Sequence, residues 1–519
     1  MSVNRVLWLS ALCLVTSTVW AEEPLAHWRT TVDLGRDRGQ PFGSLFEARD
    51  AKGRLVAGAG FEEVYNTRFR SNRHTVQFFV RPAKGGDRFR IERLPHPDMD
   101  CGIYLFELDG RVHAWTNARG NRVKRWDPKG RRWESKLDVV GGLGSGDGVM
   151  RIGRGLLVFK NSAATFTDAF DGTQRRTILA PPAVGRYYNF YYALGRLFFY
   201  HTSSQPPEAF TRIHACRWDP ATAVPIDLSQ SVVQQAVYVG ETPFSWGQFQ
   251  GEVVTVTNQG GIHACDGRRW RTLQEADNRV NYQVYSMLNF YDRTLLAQYP
   301  TGHLFEYRGG TEVRHLDGWP PRLRGVSSRA REAQTTAIYR GEMFTGVWPW
   351  AELWRYDRDV DRWHSMGRAF SHPAVTDKTV HPYQEHADRF RLVSNHWGQR
   401  ITSMIPIGDA LYLSTSAKGT YEWNDDYDFL TDEQRREYGA ALRLTMPGNL
   451  TTLMRWTDQP VALEFLVFTD RLVVRQDGRE IGSSRFQVED KTRVSDTKTT
   501  WGRGIFGPLN GRLLRHIAP

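Results

Sequence analysis

Apolar and polar residues alternate along most of this chain, in short runs separated by turns that contain Gly or Asp. One run is GIYLFELDGRVHAW at Gly102–Trp115, and similar ones are VMRIGRGLLVF at Val149–Phe159 and MIPIGDALYLS at Met404–Ser414. A period of two around a tight turn is typical of β-hairpins. The pattern therefore predicts an all-β chain that is built from consecutive hairpins.

A second unit follows each hairpin: a strand that ends in an aromatic residue or Cys, a turn that often carries Asp, and a strand that often carries Trp. The clearest copy is AELWRYDRDVDRW at Ala351–Trp363, and another is RVKRWDPKGRRW at Arg122–Trp133. Seven copies recur at intervals of 42 to 49 residues, with a last interval of 67. Such a period indicates β-propeller blades, whose apolar faces only neighbouring blades can cover.

A looser copy at Val76–Leu94 brings the number of units to eight, and the strand-like segment His27–Leu34 is expected to complete the last of them. The sequence therefore predicts an eight-bladed propeller over residues 22–424, with seven blades as the alternative. Residues 425–519 are predicted to form a small β appendage on the propeller. It should hold a helix at Leu430–Leu442, capped by Thr431, and a strand pair at Val461–Gly482.

The strand–aromatic–Asp–turn–Trp pattern resembles kelch-type propeller repeats between about residues 43 and 424. Most units lack the paired glycines of a kelch repeat. The resemblance implies the fold alone, because propellers host unrelated functions.

The first 21 residues have the features of a secretory signal peptide. Arg5 precedes an apolar run, Val6–Val19, and Ala21 offers a small residue for cleavage. The run is shorter than the roughly 20 residues that span a bilayer, which disfavours the alternative of an uncleaved anchor. We therefore expect an exported protein, secreted or periplasmic, without membrane insertion.

The chain carries a formal charge of +11, which bears on its partners. Outside a cell the common polyanions are acidic polysaccharides, and an exported protein is not expected to meet nucleic acid. The alternative is a basic composition without a polyanionic partner. Cys216 and Cys265 stand in matching HAC triplets of successive units, too far apart for a disulfide. We expect buried thiols and a monomer, and at least one of Cys101, Cys216 and Cys265 is then unpaired because their number is odd.

The aromatic stretch Val184–His201 supplies the candidate catalytic residues. Elimination beside a uronate carboxylate needs a cation, a base and an acid. Arg186 is the candidate cation, and Tyr188 and His201 are candidates for base and acid, with His113 as a further candidate. The alternative is aromatic packing between blades. The candidate substrate-binding residues are Tyr187, Tyr285, Arg324, His396 and Trp397.

The widest interval between units contains an insertion, Ser371–Arg400, that is rich in histidine and carboxylates. Neutral imidazoles with carboxylates are ligands for divalent metal ions. His372, His381 and His386 are therefore the candidate metal ligands, although their spacing matches no short metal motif. Substrate contact and a plain loop are the alternatives for this segment.

The sequence lacks HExxH, a phosphate-binding glycine loop and a GxSxG elbow. Two hypotheses remain. The first is a lyase that cleaves a uronate-containing polysaccharide by β-elimination, similar in outline to propeller-fold polysaccharide lyases, with no catalytic residue carried over from them. The second is a non-catalytic, kelch-like recognition propeller. A cluster of perturbed His, Tyr and Arg residues in one pocket favours the first, and an uncharged aromatic pocket favours the second.

Overall fold

Short antiparallel strands make up most of the computed structural model, as the alternating pattern predicts. The structure describes residues 22–35, 43–62, 64–66, 69–70, 74–84, 86, 88–98, 102–116, 122–135, 147–168, 174–205, 209–222, 224–391, 396–417, 429–457 and 459–519. The predicted signal peptide and Cys101 lie outside these residues. Within them, no helix is both long enough and apolar enough to cross a membrane.

Seven sheets, numbered 1 to 7 in chain order, follow one another between residues 90 and 445. Sheet 1 consists of Ile103–Leu108, Arg111–Thr116, Arg122–Asp127 and Arg132–Glu134, and sheet 2 of Gly148–Ile152, Gly155–Lys160, Ala163–Thr167 and Arg175–Leu179. Sheet 3 consists of Arg186–Ala193, Arg196–Ser203, Phe210–Arg217 and Val232–Gln235, and sheet 4 of Pro243–Phe249, Glu252–Thr257, Ile262–Cys265 and Trp270–Gln274. Sheet 5 consists of Gln283–Phe290, Arg293–Tyr299, Leu304–Tyr307 and Val313–Leu316, and sheet 6 of Glu332–Tyr339, Glu342–Trp348, Glu352–Asp357 and Arg362–Arg368. Sheet 7 consists of Gln399–Ile407, Ala410–Ala417, Ala441–Thr445 and Arg90–Arg93.

The sheets close into a ring. The first strands of sheets 3 to 7 contact one another in order, and that of sheet 7 contacts that of sheet 1. Apolar clusters fill the spaces between sheets 1 and 2 and between sheets 2 and 3. The fold is therefore a β-propeller with the first strand of each sheet along the axis. The described strands form seven such sheets, so the predicted count of eight is not confirmed.

The strand that completes the ring differs from the predicted one. Arg90–Arg93 pairs with Ala441–Thr445 as the outer strand of sheet 7. The predicted closing segment instead forms Ala26–Asp33, which lies between Val461–Val467 and Arg512–Ile517 in a separate sheet. Ala26–Asp33 buries alternate residues in that sheet, whereas Arg90–Arg93 is largely exposed at the outer edge of sheet 7.

The two ends of the chain build a β-sandwich, here called the terminal sandwich. Its two five-stranded sheets are, in spatial order, Arg479–Arg485, Arg471–Gln476, Val461–Val467, Ala26–Asp33 and Arg512–Ile517; and Asn449–Leu453, Thr75–Val80, Leu55–Phe61, Gly43–Arg49 and Lys498–Trp501. Trp28, Phe46, Phe78 and Phe465 pack between the sheets. The segments 43–95 and 425–519, the second of which is the predicted appendage, thus meet in one sandwich. Both contribute strands to this one core, and both also give a strand to sheet 7.

The terminal sandwich docks on the propeller face where the first and second strands of each sheet connect, here called the turn face. Phe79 and Phe506 of the sandwich pack with Leu288 and Ile338 of the inner strands. Arg81 pairs with Glu342 at 3.3 Å. The opposite face, where the inner strands begin, is here called the mouth face.

A short hairpin of the sandwich segment enters the axis from the turn face. Its strands are Val64–Asn66 and Phe69–Arg70, and the first pairs with the inner strand of sheet 5. Val64 lies opposite Leu288 and Asn66 opposite Ser286, and this strand also contacts the inner strands of sheets 4 and 6. The axis is therefore occupied below the mouth face, so a ligand at the mouth would meet a closed floor.

Helical structure is limited to short segments of the described chain. The α-helices are Gln384–Arg389, Asp432–Arg435 and Lys491–Ser495, and the 3₁₀ turns are Leu228–Gln230 and Arg358–Val360. Thr431 caps the second helix in a capping box with Gln434, as predicted in part from the sequence. The predicted length is wrong, because Ala441–Thr445 pairs with Ala410–Ala417 in sheet 7.

Cys216 and Cys265 are free and buried, which confirms the expectation for these two thiols. Burial raises the pKa of each to about 11, so both remain protonated at neutral pH. They pack as small apolar residues between neighbouring sheets.

Buried histidines of the propeller should make its stability depend on pH. Burial lowers the pKa of His113, His214 and His263 to about 4 each, whereas an unfolded chain has a value of 6.5. Between these values the unfolded state binds more protons, so stability is fully present above about pH 6.5 and falls as the pH drops towards 4. Urea unfolding monitored at several pH values should show the midpoint decreasing over this range. The urea midpoint of the His263→Asn variant should fall less on acidification than that of the wild type. A wild-type midpoint that stays constant over this range would contradict the lowered pKa values of the buried histidines.

Candidate functional site at the mouth of the propeller

Four polar side chains from the starts of four inner strands meet at the mouth face. Tyr104, Tyr285, Glu332 and Arg400 come from sheets 1, 5, 6 and 7 and are here called the mouth cluster. All inner strands run from the mouth face to the turn face. Their first residues therefore converge on the axis, which makes this position a natural site for a ligand.

An ion pair forms the centre of the mouth cluster. Arg400 Nε lies 2.9 Å from Glu332 Oε1, and Arg400 Nη2 donates to Glu332 Oε2 at 3.0 Å. The side chains are 7% and 0% exposed. This buried ion pair contains one hydrogen bond, and removal of either partner leaves an uncompensated charge.

Tyr285 places a hydroxyl beside this pair. The Arg400 guanidinium lies 5.2 Å from the centre of the Tyr285 ring, and the hydroxyl donates to the side chain of Gln283. Burial, followed by the nearby Glu332 carboxylate, raises the pKa of Tyr285 well above its usual value. Tyr285 is therefore a protonated phenol at neutral pH, able to donate a hydrogen bond or a proton. Its ring also lies 5.1 Å from Phe244 of sheet 4.

Aromatic residues connect the mouth cluster to the insertion between sheets 6 and 7. The Tyr299 ring lies 6.4 Å from Trp348, and Trp348 lies 5.0 Å from His381 of the insertion. At Gly398 an added Cβ would stand 2.8 Å from the Trp348 indole nitrogen, so glycine permits this close approach. The insertion thus packs against the side of the candidate site.

A basic connection between sheets 5 and 6, residues 317–331, lies on the same face. Its Arg322, Arg324 and Arg329 are exposed, and no carboxylate of the described residues forms an ion pair with them. The connection is anchored by Arg331, which lies 3.2 Å from Glu352, with both side chains nearly inaccessible. Positive charge is therefore held beside the mouth cluster, and the predicted residue Arg324 belongs to it.

The predicted pair Tyr188 and His201 does not meet on one face. Strand pairing sets Tyr188 opposite Tyr200 and Tyr187 opposite His201, so Tyr188 and His201 point to opposite sides of sheet 3. A bulge at Asn189, with φ of +53°, also ends the predicted alternation of this strand.

Each predicted residue of sheet 3 has a local partner. The Arg186 guanidinium lies 5.3 Å from the Tyr188 ring, and burial raises the pKa of Tyr188 to about 12. The His201 ring contacts Tyr187 edge-on at 4.7 Å, and its Nε2 lies 2.8 Å from the Val184 carbonyl oxygen. These contacts agree with the alternative of packing within and between sheets.

His113, Trp397 and His396 are buried away from the mouth cluster. His113 stacks on Phe106 at 5.2 Å inside sheet 1. Trp397 packs with residues of the two long connections around sheet 7, and His396 contacts its ring at 4.7 Å. Among the predicted catalytic and substrate-binding residues, only Tyr285 lies in the mouth cluster, and Arg324 lies beside it.

The predicted metal ligands His372, His381 and His386 do not form a common donor set. His372 bonds through Nδ1 to the Tyr383 hydroxyl at 2.7 Å, and His386 stacks on Phe429 at 4.1 Å. His381 packs on Trp348. Within the described residues, the three-donor cluster is His303, His315 and Asp317 instead.

Sequence reasoning missed Glu332, Arg400 and Tyr104. Each stands at the first or second position of an inner strand that is almost wholly buried. Comparing this position across all repeats would have revealed the cluster, because the starts of inner strands meet at the axis.

No family model matches the chain, and no curated protein matches it. The kelch resemblance therefore has no family-level support. Among solved structures, a catalytically inactive virginiamycin B lyase from Staphylococcus aureus with quinupristin has a TM-score of 0.37 at 9% identity, covering 69% of this chain and 100% of that one. The computationally designed Ika8 protein has a TM-score of 0.35 at 10% identity, covering 79% and 99%. A structural genomics protein of Bacteroides thetaiotaomicron has a TM-score of 0.30 at 7% identity, covering 75% and 98%. Similarity at this level carries no argument about function.

Proposed function

We propose that the protein binds a uronate-containing polysaccharide at the mouth cluster and cleaves it by β-elimination. One observation carries the proposal: a guanidinium and phenols from different inner strands are held together in one buried, electrostatically coupled cluster. Such a set supplies the cation and the proton-transfer groups that elimination requires.

The roles follow from the chemistry of each group. Arg400 neutralises the uronate carboxylate and so makes the adjacent C–H more acidic. Tyr104 lies close enough to this guanidinium to interact with its charge, and we assign it as the base. Tyr285 keeps its proton and donates it to the leaving oxygen. The C–H proton passes to Tyr104 as the C–O bond breaks and the C=C bond forms.

The exposed arginines of the 317–331 connection support an anionic polymer as the ligand. They lie beside the mouth and have no carboxylate partner among the described residues. The floor formed by the hairpin Val64–Asn66 leaves the mouth face as the route of entry.

A non-catalytic recognition propeller is the second candidate, and a specific observation favours it. Glu332 already compensates the charge of Arg400, and burial disfavours ionisation of Tyr285. A site in this state can bind a sugar through hydrogen bonds and aromatic faces without transferring a proton.

The test is incubation of the purified protein with a panel of uronate-containing and neutral polysaccharides. Elimination creates a conjugated, ultraviolet-absorbing uronate at the new chain end, which hydrolysis does not produce. Absorbance that rises with a polyuronate and not with a neutral glucan supports the lyase. Retardation in an affinity gel without absorbance supports recognition. If the panel gives neither an absorbance rise nor retardation, both proposed functions are contradicted.

Replacing Arg322, Arg324 and Arg329 together by serine should weaken binding of the polyuronate about tenfold, because each exposed charge contributes roughly 0.2–1 kcal/mol. The loss should shrink at high salt, where exposed charges are screened. Affinity-gel retardation over a range of salt concentrations measures both effects. A matched triple variant at Arg268, Arg269 and Arg479, which are exposed elsewhere, is the control. Equal weakening by the two variants would show non-specific attraction.

A further inference from the structure

Two histidines and an aspartate lie together at the outer edge of sheet 5, where the 317–331 connection begins. His303 precedes the strand Leu304–Tyr307, His315 lies on the paired strand Val313–Leu316, and Asp317 follows that strand. Their ligand atoms all lie within 4.8 Å of one another. Antiparallel pairing brings the three residues together although they are not adjacent in the sequence.

The distances between the donor atoms suit one metal ion. His303 Nδ1 lies 3.0 Å from His315 Nε2 and 3.6 Å from Asp317 Oδ1. Neighbouring ligands at about 2.0–2.1 Å from a tetrahedral or octahedral ion stand roughly 2.8–3.4 Å apart. An ion between the three atoms would therefore need only small rotations of the side chains.

The imidazole rings are already held in place. His315 stacks on Phe305 at 4.6 Å and on His303 at 5.2 Å. The His303 backbone N–H donates to the Thr301 hydroxyl at 3.1 Å. Because the rings are already ordered, less side-chain conformational entropy is lost when the ion binds. His315 and Asp317 are exposed, so solvent can occupy the remaining coordination positions.

We propose that His303, His315 and Asp317 form a site for a divalent transition-metal ion, with Zn²⁺ as the expected occupant. Two imidazole nitrogens and one carboxylate oxygen match the donor preference of this ion and leave at least one position open for water or a ligand. Asp317 begins the basic connection 317–331, so the ion would tie the start of that connection to sheet 5. The proposal does not depend on the lyase activity.

The experiment uses the full chain, stripped of metal by a chelator and titrated with Zn²⁺ by calorimetry. One ion per chain should bind, and replacing His315 by alanine should weaken binding at least tenfold. Asp317→Asn should weaken binding less than His315→Ala does, because the amide keeps an oxygen ligand, although a poorer one, whereas alanine removes the ligand. Titration with Co²⁺ should give visible ligand-field bands that indicate nitrogen donors and a low coordination number.

The control is His364→Ala, which removes a partly exposed histidine from the outer strand of sheet 6. It should leave Zn²⁺ binding unchanged. Circular dichroism of each variant confirms that the fold is retained, so that a loss of binding reports on the site. Absence of saturable binding, or equal affinity of the wild type and His315→Ala, would show that the two rings share only a hydrogen bond.

Discussion

Replacing Glu342 by alanine is expected to lower the free energy of unfolding by about 3–5 kcal/mol. Glu342 is fully buried at the junction between the propeller and the terminal sandwich. Its carboxylate lies 2.5 Å from Arg340, 2.9 Å from Arg355 and 3.3 Å from Arg81. Removal takes this carboxylate away from Arg340 and Arg355, which are only 1% and 3% exposed.

The loss should appear as a lower urea midpoint in tryptophan fluorescence. Arg81 retains Asp357 and Asp359 as partners, so the cost arises mainly inside sheet 6. The control is Glu312→Ala at an exposed position, for which a change within about 0.5 kcal/mol is expected. A loss below about 1 kcal/mol for Glu342→Ala would mean that water or another group compensates the two arginines.

Replacing Tyr285 by phenylalanine is expected to reduce the proposed elimination about 10²–10⁴-fold, because it removes only the hydroxyl that we propose as the proton donor to the leaving oxygen. The ring keeps its contacts with Phe244 and with the Arg400 guanidinium. Binding of the polysaccharide should therefore change little, and the loss should appear in kcat. Initial rates of ultraviolet absorbance at several substrate concentrations separate kcat from KM.

The matched control is Tyr282→Phe, which changes a partly buried phenol just before the same strand, whose ring packs on Phe305 of sheet 5. Its turnover should match that of the wild type. Equal turnover by Tyr285→Phe and the wild type would remove Tyr285 from the chemistry. If the wild type binds the polymer without product, the same variant tests recognition instead, and its affinity then reports the contribution of the hydroxyl.

The candidate site was only partly predictable from the sequence. Tyr285 stood in a recognisable aromatic strand, and Arg324 in a basic connection. Tyr188 and His201 looked equally suitable, because the alternation of a strand predicts faces only while it stays regular. The bulge at Asn189 and the register with Tyr200 decide which side chains meet, and neither is encoded by residue type alone.

By itself the sequence determined the all-β class, the propeller repeat and the buried thiols of Cys216 and Cys265, since each depends on a local pattern of apolar residues. Only the tertiary structure decided that Ala26–Asp33 pairs with Val461–Val467, and that Glu332 meets Arg400. Strands of similar amphipathicity compete for the same partners. The winning pairing is the one that buries both apolar faces at once, a property of the assembled sheets rather than of any one segment.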